Sequence, residues 1–483
     1  MLFNSIDFAI FLPIVFILYW FVFNKNLKLQ NVFVVIASYF FYGCWDWRFL
    51  FLILFSTVID YSVGFQLAKE AHKTKRKILL WISIVVNLGL LGVFKYYNFF
   101  IDNFTTMFSF FNMRIEASSL NIVLPVGISF YTFQTLSYTI DVYKRKMEPT
   151  KDFISFSAFV SFFPQLVAGP IEKASNLLPQ FYKKRTFDYS KAVDGLRQIL
   201  WGLIKKVVIA DNCARYVNEI FLHSDYYSGS TLLLGALLFA FQIYGDFSGY
   251  SDIAIGTSRL FGFHLKKNFA FPYFSRDIAE FWRRWHISLS TWFKDYLYIP
   301  LGGSRGSVWS KIRNVFIIFI VSGFWHGANW TFIVWGVLNA IYFLPLLLTH
   351  ENRVNTNVVA EGKSYPSVNE FLNILKTFGL TLLGWVFFRA DNVQHALHYM
   401  ARITSLSLFT VPKFLKMGGV YTTLMLIMIF ILIEWKGREQ QYAIAEFRFK
   451  QAKYMRWVFY LFLGFILFYY GDFNKTEFIY FAF

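Results

Sequence analysis

The chain has 483 residues, 56% of them hydrophobic and 16% charged, and 62 are phenylalanine. Soluble domains carry roughly 25% charged residues, so this composition excludes an ordinary soluble enzyme, a disordered chain and a disulfide scaffold. The net charge of +18 is spread over short clusters between apolar runs, which suits cytoplasmic loops of a polytopic membrane protein and excludes a nucleic-acid-binding domain.

Crossing the hydrocarbon takes about 20 apolar residues, so the length leaves room for roughly 10–12 transmembrane helices. The first run, Phe8 to Phe23, follows no basic leader or small-residue cleavage site and reads as a retained span. A second starts near Asn31 and is interrupted at Trp45-Asp46-Trp47-Arg48; a third covers Phe49 to Leu67. The densest basic loop (Lys69, Lys73, Lys75, Arg76, Lys77) precedes a fourth run. Placing the basic loops inside puts the N-terminus outside and Asp46 and Arg48 at the outer surface. Lys183-Lys184-Arg185 and Lys205-Lys206 are assigned to the cytoplasmic side by the same rule. The stretch from Phe153 to Ala168 is short enough for a re-entrant or interfacial helix. A long run from Val315 to Leu348 precedes the hydrophilic loop from His350 to Asn369, and further runs cover Phe371 to Phe388, Tyr421 to Ile433 and Trp457 to Tyr470. Cys44 and Cys213 lie in apolar surroundings without CxxC or Cys/His spacing, so each is expected to be a buried free thiol, with no metal site. The pattern predicts an all-α polytopic protein, one membrane domain over residues 1–483 with its chemical core at about 120–345.

Polar groups inside a membrane cost about 2.5–3.5 kcal/mol for a central charge, so they mark candidate sites. GxxxxGK[ST], GxSxG, HExxH and GxGxxG are absent. His326, in Gly323-Phe324-Trp325-His326-Gly327-Ala328-Asn329, lies 13 residues beyond Arg313, roughly 20 Å along a helix. It is either a packed, hydrogen-bonded histidine or a general base where water is scarce. Gly323 and Gly327 suit close approach of a substrate and tight helix packing equally. In Trp282-Arg283-Arg284-Trp285-His286, the arginines and His286 can receive an anion between stacking tryptophans, with Arg276, Lys294 and Arg305 adding charge. An amphipathic interfacial helix explains the same residues. In Tyr244-Gly245-Asp246-Phe247-Ser248-Gly249-Tyr250-Ser251-Asp252, two acids break an apolar run. Acid–base catalysis, cation binding and ion pairing to Arg283 or Arg284 are open, with pairing the plainer choice.

The segments LPVGISFYTFQTLSYTIDVY from Leu124, FPQLVAGPI from Phe163, DFSGYSDIAIG from Asp246, EFWRRWHISLSTWFKDYLYIPLGG from Glu280, GFWHGANWTFIVWG from Gly323 and the final EFIYFAF resemble the membrane-bound O-acyltransferase family. Within it they resemble the bacterial branch that O-acetylates polysaccharides such as alginate or peptidoglycan. The resemblance implies transmembrane helices around a central funnel, His326 as the catalytic histidine and His286 as its support. It implies acetyl-CoA as donor substrate, with no tightly bound cofactor, and an extracytoplasmic SGNH-type partner that acetylates the polysaccharide. A bacterial cytoplasmic membrane is the implied location.

The last segment, Phe478-Ile479-Tyr480-Phe481-Ala482-Phe483, also resembles the end of the small peptide that accompanies the related D-alanyl transfer protein. That likeness makes Tyr480 a candidate acyl relay; an aromatic interfacial anchor is the alternative. Arg283, Arg284, Trp282, Trp285 and Lys294 become candidates for holding the donor, and Asp246, Ser248, Tyr250, Asp252 and Asn329 for polar support. Two departures limit the transfer of roles: Asn339 stands where relatives often carry a further histidine, and FIYFAF lacks the usual polar residue before its last Phe. An ion- or acyl-donor-coupled transporter using Asp246, Asp252 and His326 is the rival reading, and a mere anchor for a polysaccharide-modifying complex is a third.

Overall fold

A computed structural model describes residues 1–113, 119–120, 123–167, 169–415, 417–446, 453–473 and 478–479. Among these, seven helical stretches are long and apolar enough to cross a membrane, and three shorter apolar helices accompany them. No strand occurs among the described residues. The architecture is the expected all-α, multi-pass one. Two compact units make up the chain: Met1–Ala192 with Thr257–Lys266, and Val193–Gly256 with Lys267–Phe483.

In the first unit, Asn26 caps the helix Leu27–Asp46 by accepting the amides of Lys28 and Leu29. The Asp46 carboxylate accepts the Arg48 amide and turns the chain into the helix Leu50–Lys69. Thus the Trp-Asp-Trp-Arg interruption is a tight turn between two apolar helices. The short apolar helix Phe153–Ser161 lies where a re-entrant or interfacial segment is expected.

Apolar surface drives helix association weakly in lipid, so buried polar contacts carry more of the specificity there. Asp60 accepts bonds from Ser83 at 2.5 Å, Asn87 at 2.8 Å and Thr139 at 3.1 Å, tying three helices together. Arg185, assigned from its neighbours to a basic loop, is instead buried and bonds Gln30 and Asn31. Cys213 is buried as expected, but Cys44 faces outward, because it lies on the unpacked side of its helix.

The second unit is built on a close crossing. The helix Tyr189–Leu203 widens to i→i+5 turns over Ile204–Ala210 and continues as Asp211–Leu222. It packs from Val193 onward against the helix Gly229–Leu260. A Cβ at Gly249 would lie 2.7 Å from the Gly202 carbonyl oxygen, and one at Gly256 would lie 2.4 Å from that of Gly195. Glycine is required there because the two backbones touch.

The long run from Val315 to Leu348 is a hairpin of two helices, Val308–His326 and Trp330–Leu348. It closes equally tightly: a Cβ at Gly323 would lie 2.1 Å from the Phe332 carbonyl oxygen. Helices Val368–Arg389, Val420–Lys436 and Lys453–Tyr470 follow.

The crossing predicts that Gly249→Val costs about 2 kcal/mol or more, as overpacking does. Gly464→Ala, where a Cβ meets nothing within 4 Å, should leave the thermal midpoint of the detergent-solubilised protein unchanged or raise it. Equal midpoints for both variants would refute the backbone contact.

Candidate active site

His326 is the last residue of its helix, and the chain leaves the helix through an extended Gly327. It therefore lies at the hairpin, not within a continuous span. The imidazole is buried, edge-on to Trp335 and against Phe388, both with ring centroids 5.3 Å away. Asn329 is a structural residue here: it caps the next helix through the Thr331 amide and donates to the Asp391 carbonyl. Gly323 serves helix packing, facing the Phe332 carbonyl and the Gly336 backbone of the partner helix.

His286 reaches the same region from another element. The segment 268–293 consists of two short helices, Ile278–Arg284 and Ile287–Phe293, joined and preceded by irregular backbone whose buried polar groups need partners. Backbone bonds from Ala270 to Arg284 and from Ile287 to Asn268 supply two of these. Trp282 carries the segment inward against Phe319 at 5.4 Å and Trp335 at 5.5 Å, and Trp335 in turn meets His326.

His286 is buried, with its Nδ1 3.1 Å from the Asn268 side-chain oxygen and its ring edge-on to Phe247 at 4.6 Å. Its backbone is left-handed at φ 42°, an uncommon conformation for any residue with a side chain. Burial pushes its imidazole well below the ordinary range, and His326 is near enough to add to the effect. The structure thus gathers the two candidate histidines in one unit, within electrostatic reach of each other.

The acids of the 244–252 motif are ion-paired, but not to Arg283 or Arg284. Lys206 holds Asp246 at 2.7 Å and Asp211 at 2.8 Å; Lys205 holds Asp252 at 2.8 Å and Glu434 at 3.5 Å. Tyr244, Trp201 and Gln198 donate to these carboxylates. Both lysines, assigned to a cytoplasmic loop from their charge, are buried in the widened turn of an amphipathic helix. Ser248 is buried on the crossing helix Gly229–Leu260, and Tyr250 offers its ring to the Lys206 ammonium at 5.6 Å.

The arginines of the WRRWH segment have other partners. Arg284 pairs with the buried Glu280 at 2.8 Å, and Arg283 donates to the carbonyls of Asn352 and Asn355. They clamp the loop that follows the hairpin. Trp285 is core, packed on Trp385 and Phe269, while Arg283 and Lys294 remain exposed. Among the described residues no group of three or more His, Cys, Asp or Glu is placed to hold a metal ion.

A cavity of 580 Å³ opens beside this cluster, with Lys206, Asp246, Asn329, Phe388, Phe478 and Ile479 in its wall. Phe388 separates it from the His326 ring. Tyr480 lies outside the described residues. The contributions of Lys205, Lys206, Asp211, Glu434 and Asn268 were missed from sequence; the one local signal is two adjacent lysines flanked by apolar residues on both sides.

Comparison with known proteins agrees with this architecture. Residues 32–387 match the model of MBOAT, the membrane-bound O-acyltransferase family. The chain is 41% identical over 398 residues to the probable alginate O-acetylase AlgI of Pseudomonas aeruginosa, covering 82% of this chain and 73% of that protein. It is 38% identical over 448 residues to the probable alginate O-acetylase AlgI of Azotobacter vinelandii, covering 92% of this chain and 86% of that one. To the peptidoglycan O-acetyltransferase of Helicobacter pylori it is 36% identical over 436 residues, covering 84% and 80%. The chain belongs to the membrane-bound O-acyltransferase family. It is a multi-pass membrane O-acyltransferase.

Two predictions test the site's electrostatics. Lys206→Met strands Asp246 and Asp211 and should cost about 3–5 kcal/mol, as removing one member of a buried ion pair does; adding Asp246→Asn and Asp211→Asn should recover most of it, read from thermal midpoints. His286 stays neutral when folded, whereas the unfolded chain takes up its proton below about pH 6.5. Its contribution to stability is therefore present above that pH and lost as the pH falls below it. His286→Asn should flatten that acid-side decline; an unchanged decline would refute the neutral, buried assignment.

Proposed function

We propose that the protein moves an acetyl group from cytoplasmic acetyl-CoA across a bacterial cytoplasmic membrane for O-acetylation of a cell-surface polysaccharide. The observation that carries this reading is the pair of buried histidines, His326 and His286, gathered in one unit beside a polar-walled cavity. Similarity to proteins named alginate O-acetylase and peptidoglycan O-acetyltransferase supports acetyl as the group and a polysaccharide as the final acceptor.

His326 acts as general base. A tyrosine hydroxyl is a poor nucleophile while protonated, with a reference pKa near 10; an imidazole within hydrogen-bond reach removes that proton as the oxygen attacks. The Tyr480 oxygen bonds to the acetyl carbonyl carbon, the carbon–sulfur bond breaks, and the CoA thiolate leaves with the proton from His326. A serine of an extracytoplasmic SGNH-type partner then attacks the tyrosyl ester, frees the phenol and carries acetyl to the polysaccharide. His286, fixed by Asn268, supports His326.

Arg283 and Lys294, both exposed, attract the CoA phosphates. Trp282 and Arg284 frame that approach. Positive charge on loops of this face also sets it toward the cytoplasm.

Incubation of the purified protein with radiolabelled acetyl-CoA, followed by denaturation, tests the scheme. Label should remain on the wild-type chain and disappear in His326→Ala and Tyr480→Phe, both with wild-type thermal midpoints. Label retained by Tyr480→Phe would refute the tyrosyl relay; label retained by His326→Ala would refute the general base.

A further inference from the structure

After the helix Lys453–Tyr470 the chain turns back along the second unit, held at successive points. Asn212 donates to the Tyr470 carbonyl at 2.8 Å, the Asp472 amide donates to the Val207 carbonyl at 3.0 Å, and Arg215 pairs with the Asp472 carboxylate at 2.5 Å. Further on, the Ile479 amide donates to Asp246 at 2.7 Å. Phe478 is fully buried, its ring 4.6 Å from Tyr250 and 5.6 Å from Phe247. Phe247 is the ring that meets His286 edge-on.

Asp246 therefore has two duties. One oxygen neutralises Lys206; the other accepts a backbone amide from a segment 233 residues away. A carboxylate oxygen committed to an amide forms a strong, charge-assisted bond, and Lys206, itself fixed by Asp211, keeps that carboxylate from turning away. An apolar side chain at 246 would leave the amide without its acceptor and the ammonium with Asp211 as its remaining carboxylate.

We propose that Asp246 is a positioning residue: its carboxylate grips the backbone at Ile479, and Phe478 packs against Tyr250 and Phe247, so that both residues are fixed in the wall of the cavity. The buried Lys206–Asp246 pair is what holds Ile479 in that wall. The inference rests on the acyl-transfer reading only for its consequence; the anchor itself is independent of it.

Amide hydrogen exchange on the full-length protein, read at Ile479, tests the anchor, with acetyl transfer measured on the same variants. Asp246→Ala should speed exchange at Ile479 by at least about tenfold, as loss of a buried charge-assisted hydrogen bond implies, and should lower acetyl transfer. Asp246→Asn, which keeps an acceptor oxygen, should restore part of the protection. Phe478→Ala leaves the buried ions untouched and should raise exchange and lower transfer in the same way, with the exchange of the Val308–His326 helix unchanged.

Unchanged exchange at Ile479 in both Asp246→Ala and Phe478→Ala overturns the anchor. Lost protection with transfer unimpaired overturns the positioning role. A wild-type chain that accepts no acetyl at all refutes the function proposed above, while the exchange at Ile479 still decides the anchor.

Discussion

Two buried lysines sit side by side in the widened middle of an amphipathic helix, and the second unit is organised around keeping them charged there. Moving an ammonium out of water costs several kcal/mol even after relaxation. Four carboxylates, from three parts of the chain, meet that cost: Asp211 near at hand, Asp246 and Asp252 on the crossing helix, and Glu434 far along the chain. The widened turn at Ile204–Ala210 lets adjacent side chains reach different partners, and the glycine contacts bring the crossing helix near enough to meet them. Packing and charge are here one constraint, since larger residues at the crossing would separate the ions.

The inward-dipping segment 268–293 matters for a different reason. A helix of 19 residues spans about 28 Å, so the basic loops at one end of the Val308–His326 helix would lie far from His326 if every element were a straight span. Through Trp282, Phe319 and Trp335 the segment instead carries His286, two residues after Arg284, toward that histidine. The clamp of Arg283 and Arg284 on the 352–357 backbone holds the loop in with it. Two short helices and the turn between them thus make a short path between charged loops and a buried imidazole.

Much of this was legible in the residues. Apolar runs marked the helices, the tryptophan-flanked charges at 45–48 marked a turn, and an imidazole in an apolar run marked His326. The break at Gly327–Asn329 was not visible, because three residues vanish within any hydropathy window; its glycine and its capping asparagine were the cues. Lys205 and Lys206 were misplaced because charge in a short window signals an interface, while their partners Asp246 and Glu434 lie dozens to hundreds of residues away. No local pattern encodes such a pairing. For the same reason Asn268, which orients His286 from 18 residues upstream, carried no signal.

The left-handed backbone at His286 has a cost that can be set against its use. A side chain in that region is worse off by about 1 kcal/mol or more than glycine would be. Glycine at 286 would relieve it and would remove the expense of burying an imidazole. A fold selected only for stability has reason to make that exchange; this one carries both penalties in its interior, where stability is decided. The position is a local sacrifice of durability, and on the role proposed for His286 it is where a stabilised variant of the protein would first lose its chemistry.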